Sequence, residues 1–179
     1  MKLSTSLKKF KAIHKKGLSQ IVHYSIKCNN YKFIENLYKF ILVQKNSFIF
    51  ESVEKGKIRG RYTIIGFNPD KLINIKNNKI IEDYLYKKKI INQNSLVYLN
   101  NLLKNFKVET PKELPRMSSM LVGYFSYDII RLIEKIPNRC SNDLDIPDIR
   151  LMRPKNLIIY DNINRKIFYI ENIFYDQKI

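Results

Sequence analysis

Four polar and aromatic residues flank one short charged loop and have the chemistry to hold a small zwitterion. Glu51 and Ser52 end a stretch of alternating apolar residues. Arg61 and Tyr62 begin the next such stretch, so antiparallel pairing of the two would bring all four side chains to one end of a sheet. A carboxylate binds an ammonium group, a hydroxyl and a guanidinium bind a carboxylate, and a phenol ring packs against another ring. These residue types therefore suit an aromatic amino acid as ligand.

A simple ion pair is the competing interpretation of the same residues. Glu51 and Arg61 would then form an exposed pair on an edge strand, and such a pair stabilises a fold by less than about 1 kcal/mol. On the chemistry of these residues alone, the ion pair is the favoured interpretation.

Residues able to catalyse a reaction or bind a metal are not grouped along the sequence. It contains no Gly-rich phosphate loop, no CxxC and no Gly-x-Ser-x-Gly elbow. His14 and His23 lack nearby carboxylate or cysteine clusters, and we expect them to be hydrogen-bonded or exposed. Cys28 and Cys140 stand far apart. We therefore predict no catalytic residue, no metal site and no cofactor in this chain, with two reduced thiols as in a cytoplasmic protein.

The chain is strongly basic, with a net charge of +17 over 179 residues. A basic surface can bind nucleic acid, which would make retention on heparin steeply salt-dependent. The lysines, however, are spread along the whole sequence and accompany many Asn, Ile, Tyr and Phe residues, as in a protein encoded by A+T-rich DNA. We therefore predict no nucleic-acid partner. The apolar runs are too short to predict a membrane span, and the first residues lack the apolar core of a secretion signal.

Hydrophobic periodicity predicts an α+β fold with a largely antiparallel sheet or sandwich and a few packing helices. The predicted helices are 4–16, a helix capped by Asn30 and extending through Ile41, 95–106 with Leu96, Leu99, Leu102, Leu103 and Phe106 inward, and 127–134. The predicted strands are 20–27, 47–53, 61–67, 72–75, 79–85, a buried strand at 120–126, 157–160 and 166–170. Turns are predicted at 68–70, 77–78 and 162–164, and an extended connection at 136–154. The predicted organisation is an N-terminal helix at 1–18 and one domain at 19–179.

Three sequence blocks resemble the anthranilate synthase component I family and occur in the family's order. The first is SFIFESVEKGKIRGRYTIIGFNP at 47–69, where the family has Leu-Leu-Glu-Ser and then a Gly-Arg-Tyr-Ser strand. The second is VGYFSYDIIRLIEKIP at 122–137, and the third runs from 143 to 172. The chain departs from the family's pattern at three places: Phe50 replaces Leu, Ser119 and Met120 replace Gly-Gly, and 25–31 lacks Thr-Pro-Val.

The resemblance implies the N-terminal region of a chorismate-utilising enzyme. The family converts chorismate and glutamine-derived ammonia to anthranilate and pyruvate with Mg²⁺, in the first step of tryptophan synthesis. Its C-terminal catalytic domain has no counterpart in this sequence. The implied role is therefore regulatory and structural, as half of a tryptophan feedback pocket that is not catalytic alone. The implied partners are the catalytic C-terminal half, a glutamine amidotransferase subunit and L-tryptophan.

The same resemblance implies which residues line the pocket. Glu51 would bind the ammonium group of tryptophan, and Ser52 and Arg61 would bind its carboxylate. Tyr62 would contact the ring. Two alternatives stay open: the large subunit of aminodeoxychorismate synthase, which shares the architecture, and a stand-alone domain that binds an amino acid without catalysis.

Overall fold

A computed structural model describes residues 6–51, 60–84, 87–137 and 144–176 of the chain. The described helices are α1 (Leu7–Lys15), α2 (Tyr31–Leu42) and α3 (Ser95–Asn105), with short 3₁₀ helices at Arg116–Ser118 and Tyr127–Leu132. The described strands are β1 (Gln20–Lys27), β2 (Phe48–Glu51), β3 (Tyr62–Lys76), β4 (Lys79–Tyr84), β5 (Lys87–Ile91), β6 (Val122–Phe125), β7 (Ile149–Asp161) and β8 (Lys166–Ile173). Antiparallel pairs join these strands, which confirms the predicted α+β fold with a largely antiparallel sheet.

The chain divides into two compact units. The first, unit 1, comprises residues 1–69, 108–120 and 154–179, and the second, unit 2, comprises 70–107 and 121–153. In unit 1, β1 pairs with β8, β8 with β7, and β2 with β3. In unit 2, β3 pairs with β4, β4 with β5, and β6 with β7. Strands β3 and β7 thus contribute residues to both units.

Unit 1 buries side chains on both faces of its strands. Successive residues of a strand point to opposite faces, so neighbours in β7 and β8 enter different clusters. Strands buried on both faces read as continuous apolar runs, as Leu157, Ile158 and Ile159 do. The cluster that includes α2 comprises Ile34, Ile41, Ile65, Ile158 and Ile167, and the opposite cluster comprises Ile21, Leu114, Leu157, Ile159, Phe168 and Ile170.

Helix α3 covers the core of unit 2, and the prediction of its inward face is confirmed at Leu99 and Leu102 but wrong at Leu96 and Leu103. Leu96 and Leu103 were expected to point inward and are instead exposed, at 37% and 64%. The inward stripe consists of the buried Ser95 and Tyr98 and the half-buried Leu99 and Leu102, which follow the i, i+3, i+4, i+7 spacing of one helical face. The leucine pattern alone mislocated the stripe because Tyr98 takes the central position and donates its hydroxyl to Glu82 Oε2 over 2.6 Å.

Strand β3 runs without interruption through a tripeptide that the sequence marks as a turn. The predicted turn at Asn68-Pro69-Asp70 is wrong. Asn68 adopts a φ of 51°, which asparagine tolerates better than most residues, and the chain continues as a strand. Asp70 is buried and accepts hydrogen bonds from Arg153 Nε at 2.9 Å and Nη2 at 2.6 Å. A pairing between residues 83 positions apart therefore overrides the local turn signal.

Three further features differ from the sequence-based prediction: where one strand starts, the presence of another strand, and the burial of a third. Strand β7 starts at Ile149, inside the predicted connection at 136–154, because Ile149 and Leu151 belong to the core of unit 2. Strand β5, with its three lysines, was not predicted. Strand β6 was predicted to be buried, but only Val122 of its four residues is. By contrast, the hairpin about Asn77-Asn78 is confirmed, with φ values of 49° and 60° that suit a tight two-residue turn.

Gly66 makes room for the ring of Phe48, which lies opposite it in the β2–β3 pair. A Cβ at position 66 would lie 2.0 Å from Phe48 Cε1. We expect Gly66→Ala to lower the free energy of unfolding by roughly 1–3 kcal/mol, since the ring must leave its place against the unit 1 core. Urea unfolding measures the change. In a Phe48→Ala background, Gly66→Ala is expected to lower the free energy of unfolding much less. An equal decrease in both backgrounds would show that Gly66 does not make room for the Phe48 ring.

Candidate functional site

The candidate site lies where β2 ends and β3 begins, in unit 1. The two strands pair antiparallel, with Glu51 opposite Thr63, which confirms the predicted pairing. Glu51 is the last residue of β2, and Arg61 directly precedes Tyr62, the first residue of β3. Ser52 lies outside the described residues, so its predicted proximity to Arg61 stays a prediction. The chain thus brings the polar end of one strand beside the start of the next.

Glu51 is held by helix α2. Tyr38 donates its hydroxyl to Glu51 Oε1 over 2.9 Å. Tyr38 and Ile49 pack on the same apolar cluster, so the helix and the strand present both groups on one face. Glu51 is exposed, and its Oε2 atom has no hydrogen-bond partner within the described ranges. One carboxylate oxygen of this exposed residue is therefore held by Tyr38, and no described residue hydrogen-bonds the other.

Arg61 is paired with an aspartate that the sequence analysis missed. Its Nη2 lies 2.7 Å from Asp161 Oδ2, and its Nε lies 3.2 and 3.3 Å from the two carboxylate oxygens. The competing interpretation, an exposed pair between Glu51 and Arg61, is therefore wrong. Asp161 is 2% exposed and ends β7, 100 residues further along the chain. The only sequence signal for it was the turn that Asp161 begins.

Asp161 also organises the turn between β7 and β8. Its Oδ1 accepts the backbone N–H groups of Ile163 at 3.0 Å and Asn164 at 3.1 Å. Its Oδ2 accepts the side-chain amide of Asn164 at 2.9 Å. Burial acts to raise the pKa of this carboxyl, but the hydrogen bonds from Arg61 and from this turn outweigh it and hold the pKa below its usual value. Asp161 is therefore an ionised, fully hydrogen-bonded anchor.

Tyr62 packs into the protein rather than standing beside Glu51. The Arg61 guanidinium carbon lies 4.9 Å from the centre of its ring. Tyr62 and Ile64 pack on the cluster opposite α2, and this burial raises the pKa of the Tyr62 hydroxyl. Alternate residues of a strand face opposite sides, so Glu51 and Tyr62 lie on different faces of the β2–β3 pair. The structure brings Arg61 and Tyr62 together, but not Glu51 and Tyr62.

The described part of the chain offers no set of residues that fits Mg²⁺ or another metal ion. No group of three or more His, Cys, Asp or Glu side chains converges there. His23, which was expected to be hydrogen-bonded or exposed, has its Nε2 3.3 Å from Glu113 Oε1.

Among the described residues, no helix combines the length and apolar character needed to cross a membrane.

The chain is similar in sequence to proteins named anthranilate synthase component 1. It is 34% identical over 127 residues to the one from Acetivibrio thermocellus, covering 70% of this chain and 26% of that protein. It is 29% identical over 168 residues to the one from Cereibacter sphaeroides, covering 91% and 34%. The Saccharomyces cerevisiae protein is 32% identical over 132 residues, covering 73% and 24%. The chain thus spans about a quarter to a third of the length of these relatives. No protein-family model matches it.

A solved structure shows the same fold. The crystal structure of anthranilate synthase component I from Streptococcus pneumoniae superimposes with a TM-score of 0.56 and 20% sequence identity. The match covers 80% of this chain and 30% of that one. At this identity, the likeness is evidence for the architecture alone.

Acid is predicted to weaken the fold through Asp161. The pKa of its carboxyl is lower in the folded chain than its ordinary value of 3.8. The ionised group therefore stabilises the fold above that value, and the stabilisation is lost as pH falls through the lower folded pKa. Urea unfolding at pH 7, 5, 4 and 3 measures the free energy of unfolding. On acidification this free energy should fall less for Asp161→Asn than for the unsubstituted chain. An equal fall in both below about pH 4 would contradict this prediction.

Proposed function

Since the chain belongs to the anthranilate synthase component I family, we propose that it forms the N-terminal regulatory and structural part of an anthranilate synthase. The observation that carries this proposal is the match of 70–91% of the chain to relatives of that name. In the complete enzyme, chorismate and ammonia from glutamine would give anthranilate and pyruvate. Catalysis and the Mg²⁺ it needs would belong to the catalytic part, and a glutamine amidotransferase subunit would supply ammonia. This chain would supply no catalytic residue, and it would work in the cytoplasm.

The proposed ligand of this part is tryptophan, the end product of the pathway. Glu51 would bind its ammonium group through the accessible Oε2, while Tyr38 holds Oε1. Ser52 would donate its hydroxyl to the ligand carboxylate. The exposure of Glu51 supports this role, since an exposed carboxylate with one unpartnered oxygen among the described residues can accept a cation without losing an existing bond.

Inhibition would follow from a change in the population of two arrangements of the complete enzyme. Tryptophan bound at Glu51 and Ser52 would also contact the catalytic part and favour an inactive arrangement. A ligand shifts such an equilibrium only by its difference in affinity for the two arrangements. Residues of this chain would then change the inhibition constant without changing turnover in the absence of tryptophan.

The first test of this proposal is Ser52→Ala in the complete enzyme. A hydrogen bond to a charged group stabilises a complex by about 1.5–3 kcal/mol, so the tryptophan inhibition constant should rise roughly 10- to 150-fold. Steady-state kinetics at several tryptophan concentrations measures it. Ser25→Ala is the matched control, since Ser25 lies in β1, which pairs with β8 rather than with β2. An inhibition constant within about twofold of the unsubstituted enzyme would reject the role of Ser52.

A second test separates the ammonium group from the rest of the ligand. Glu51→Gln removes the negative charge, so it should weaken inhibition by tryptophan about 10- to 150-fold. Inhibition by 3-indolepropionic acid, which lacks the ammonium group, should change by less than about threefold, since it has no cation for Glu51. Glu35→Gln, on an exposed position of α2, is the control. Equal effects of Glu51→Gln on both compounds would show that Glu51 does not bind the ammonium group.

A further inference from the structure

We propose that Asp161 is a positioning residue for tryptophan inhibition, and that Arg61 acts through Asp161 instead of receiving the ligand carboxylate. This inference rests on the proposed function and changes one part of it. The family resemblance implied that Arg61 binds the ligand carboxylate. The contacts of Arg61 assign it to the turn between β7 and β8.

The side-chain contacts form a closed set around the Asp161 carboxylate. Arg61 contributes Nε and Nη2, the turn contributes two backbone N–H groups, and Asn164 contributes its side-chain amide. A buried carboxylate that loses such donors is costly to keep ionised. A ligand carboxylate that used the Nε–Nη2 edge of Arg61 would therefore have to compete with a buried aspartate.

The main chain is held at the same place. The N–H group of Asn162 donates to the carbonyl oxygen of Arg61 over 2.8 Å. The side-chain amide of Asn162 donates to the carbonyl oxygen of Gly60 over 3.3 Å. Gly60 has a φ of 83°, a conformation that glycine adopts without strain. Side-chain and backbone bonds together fix residues 60 and 61 against the β7–β8 turn.

This anchor fixes the start of the strand that faces Glu51. Arg61 lies over the Tyr62 ring, and Tyr62 begins β3. Thr63, the next residue, is the partner of Glu51 in the β2–β3 pair. Loss of the Asp161 charge should therefore move the start of β3, and with it the strand that carries Glu51. The effect on tryptophan would arise without contact between Asp161 and the ligand.

A double-mutant cycle on the complete enzyme tests the inference. Arg61→Gln and Asp161→Asn should each raise the tryptophan inhibition constant about 5- to 50-fold, and the double variant should be no worse than the worse single variant. The kcat and the KM for chorismate should stay within about twofold, whereas a general loss of structure would change them. Two results would overturn the inference: multiplied effects in the double variant, which would make Arg61 independent of Asp161, or an unchanged inhibition constant in Asp161→Asn.

A milder variant keeps the test decisive if Asp161→Asn fails to fold. Asn162→Ala removes an exposed side-chain bond to Gly60 and leaves the ion pair intact, so we expect a two- to fivefold rise in the inhibition constant. Asn101→Ala, exposed on α3, is the control with no expected change. An unchanged inhibition constant in Asn162→Ala would contradict the proposal that the β7–β8 turn positions the start of β3.

The variants of Glu51 and Ser52 distinguish a wrong role for Asp161 from a wrong tryptophan site. If those variants weaken inhibition and Asp161→Asn does not, only the positioning role of Asp161 is wrong. If none of them weakens inhibition, the proposed tryptophan site is wrong and the inference is overturned with it.

Discussion

The ion pair between Arg61 and Asp161 is the interaction on which the geometry of the candidate site depends. Asp161 is 2% exposed, and a buried carboxylate is stable only when its oxygens are fully hydrogen-bonded. The pair therefore requires the end of β7 and the start of β3 to lie together. The β2–β3 pairing then carries this constraint to Glu51. The structural requirement at Asp161 thus determines where Glu51, the proposed ligand-binding group, lies.

Unit 2 uses the same chemistry between the same two strands. Asp70 of β3 and Arg153 of β7 form a pair whose side chains are 1% and 7% exposed. Removing one partner of such a pair leaves a buried charge, which typically costs about 3–5 kcal/mol. Each unit therefore has an arginine–aspartate pair that joins β7 to β3 or to the residue just before β3. The Asp70–Arg153 pair also explains why β3 continues past Asn68 and Pro69 to Asp70.

The sequence relatives support the family of this chain, whereas the candidate site bears only on the proposed ligand. Family membership rests on relatives that match most of the chain, while the chain spans only about a quarter to a third of their length. The proposal of tryptophan as the ligand rests on family membership, and the exposed carboxylate of Glu51 supports it. Because Glu51 and Tyr62 lie on opposite faces of the β2–β3 pair, a ligand bound at Glu51 would not stack on Tyr62. The ring of a bound tryptophan would then need contacts other than Tyr62.

Local signals in the sequence were enough for the family, the fold class and most of the elements. The strand at Gln20–Lys27, the helix capped by Asn30 and the Asn77-Asn78 hairpin all follow from periodicity, capping and turn chemistry that act within a few residues. Only the tertiary structure decided the partner of Arg61, the continuation of β3 through Asn68 and the inward face of α3. These features depend on which groups must be hydrogen-bonded or packed once they are buried. The partners of these buried groups lie up to 100 positions apart in the sequence, so no pattern within a few residues can identify them.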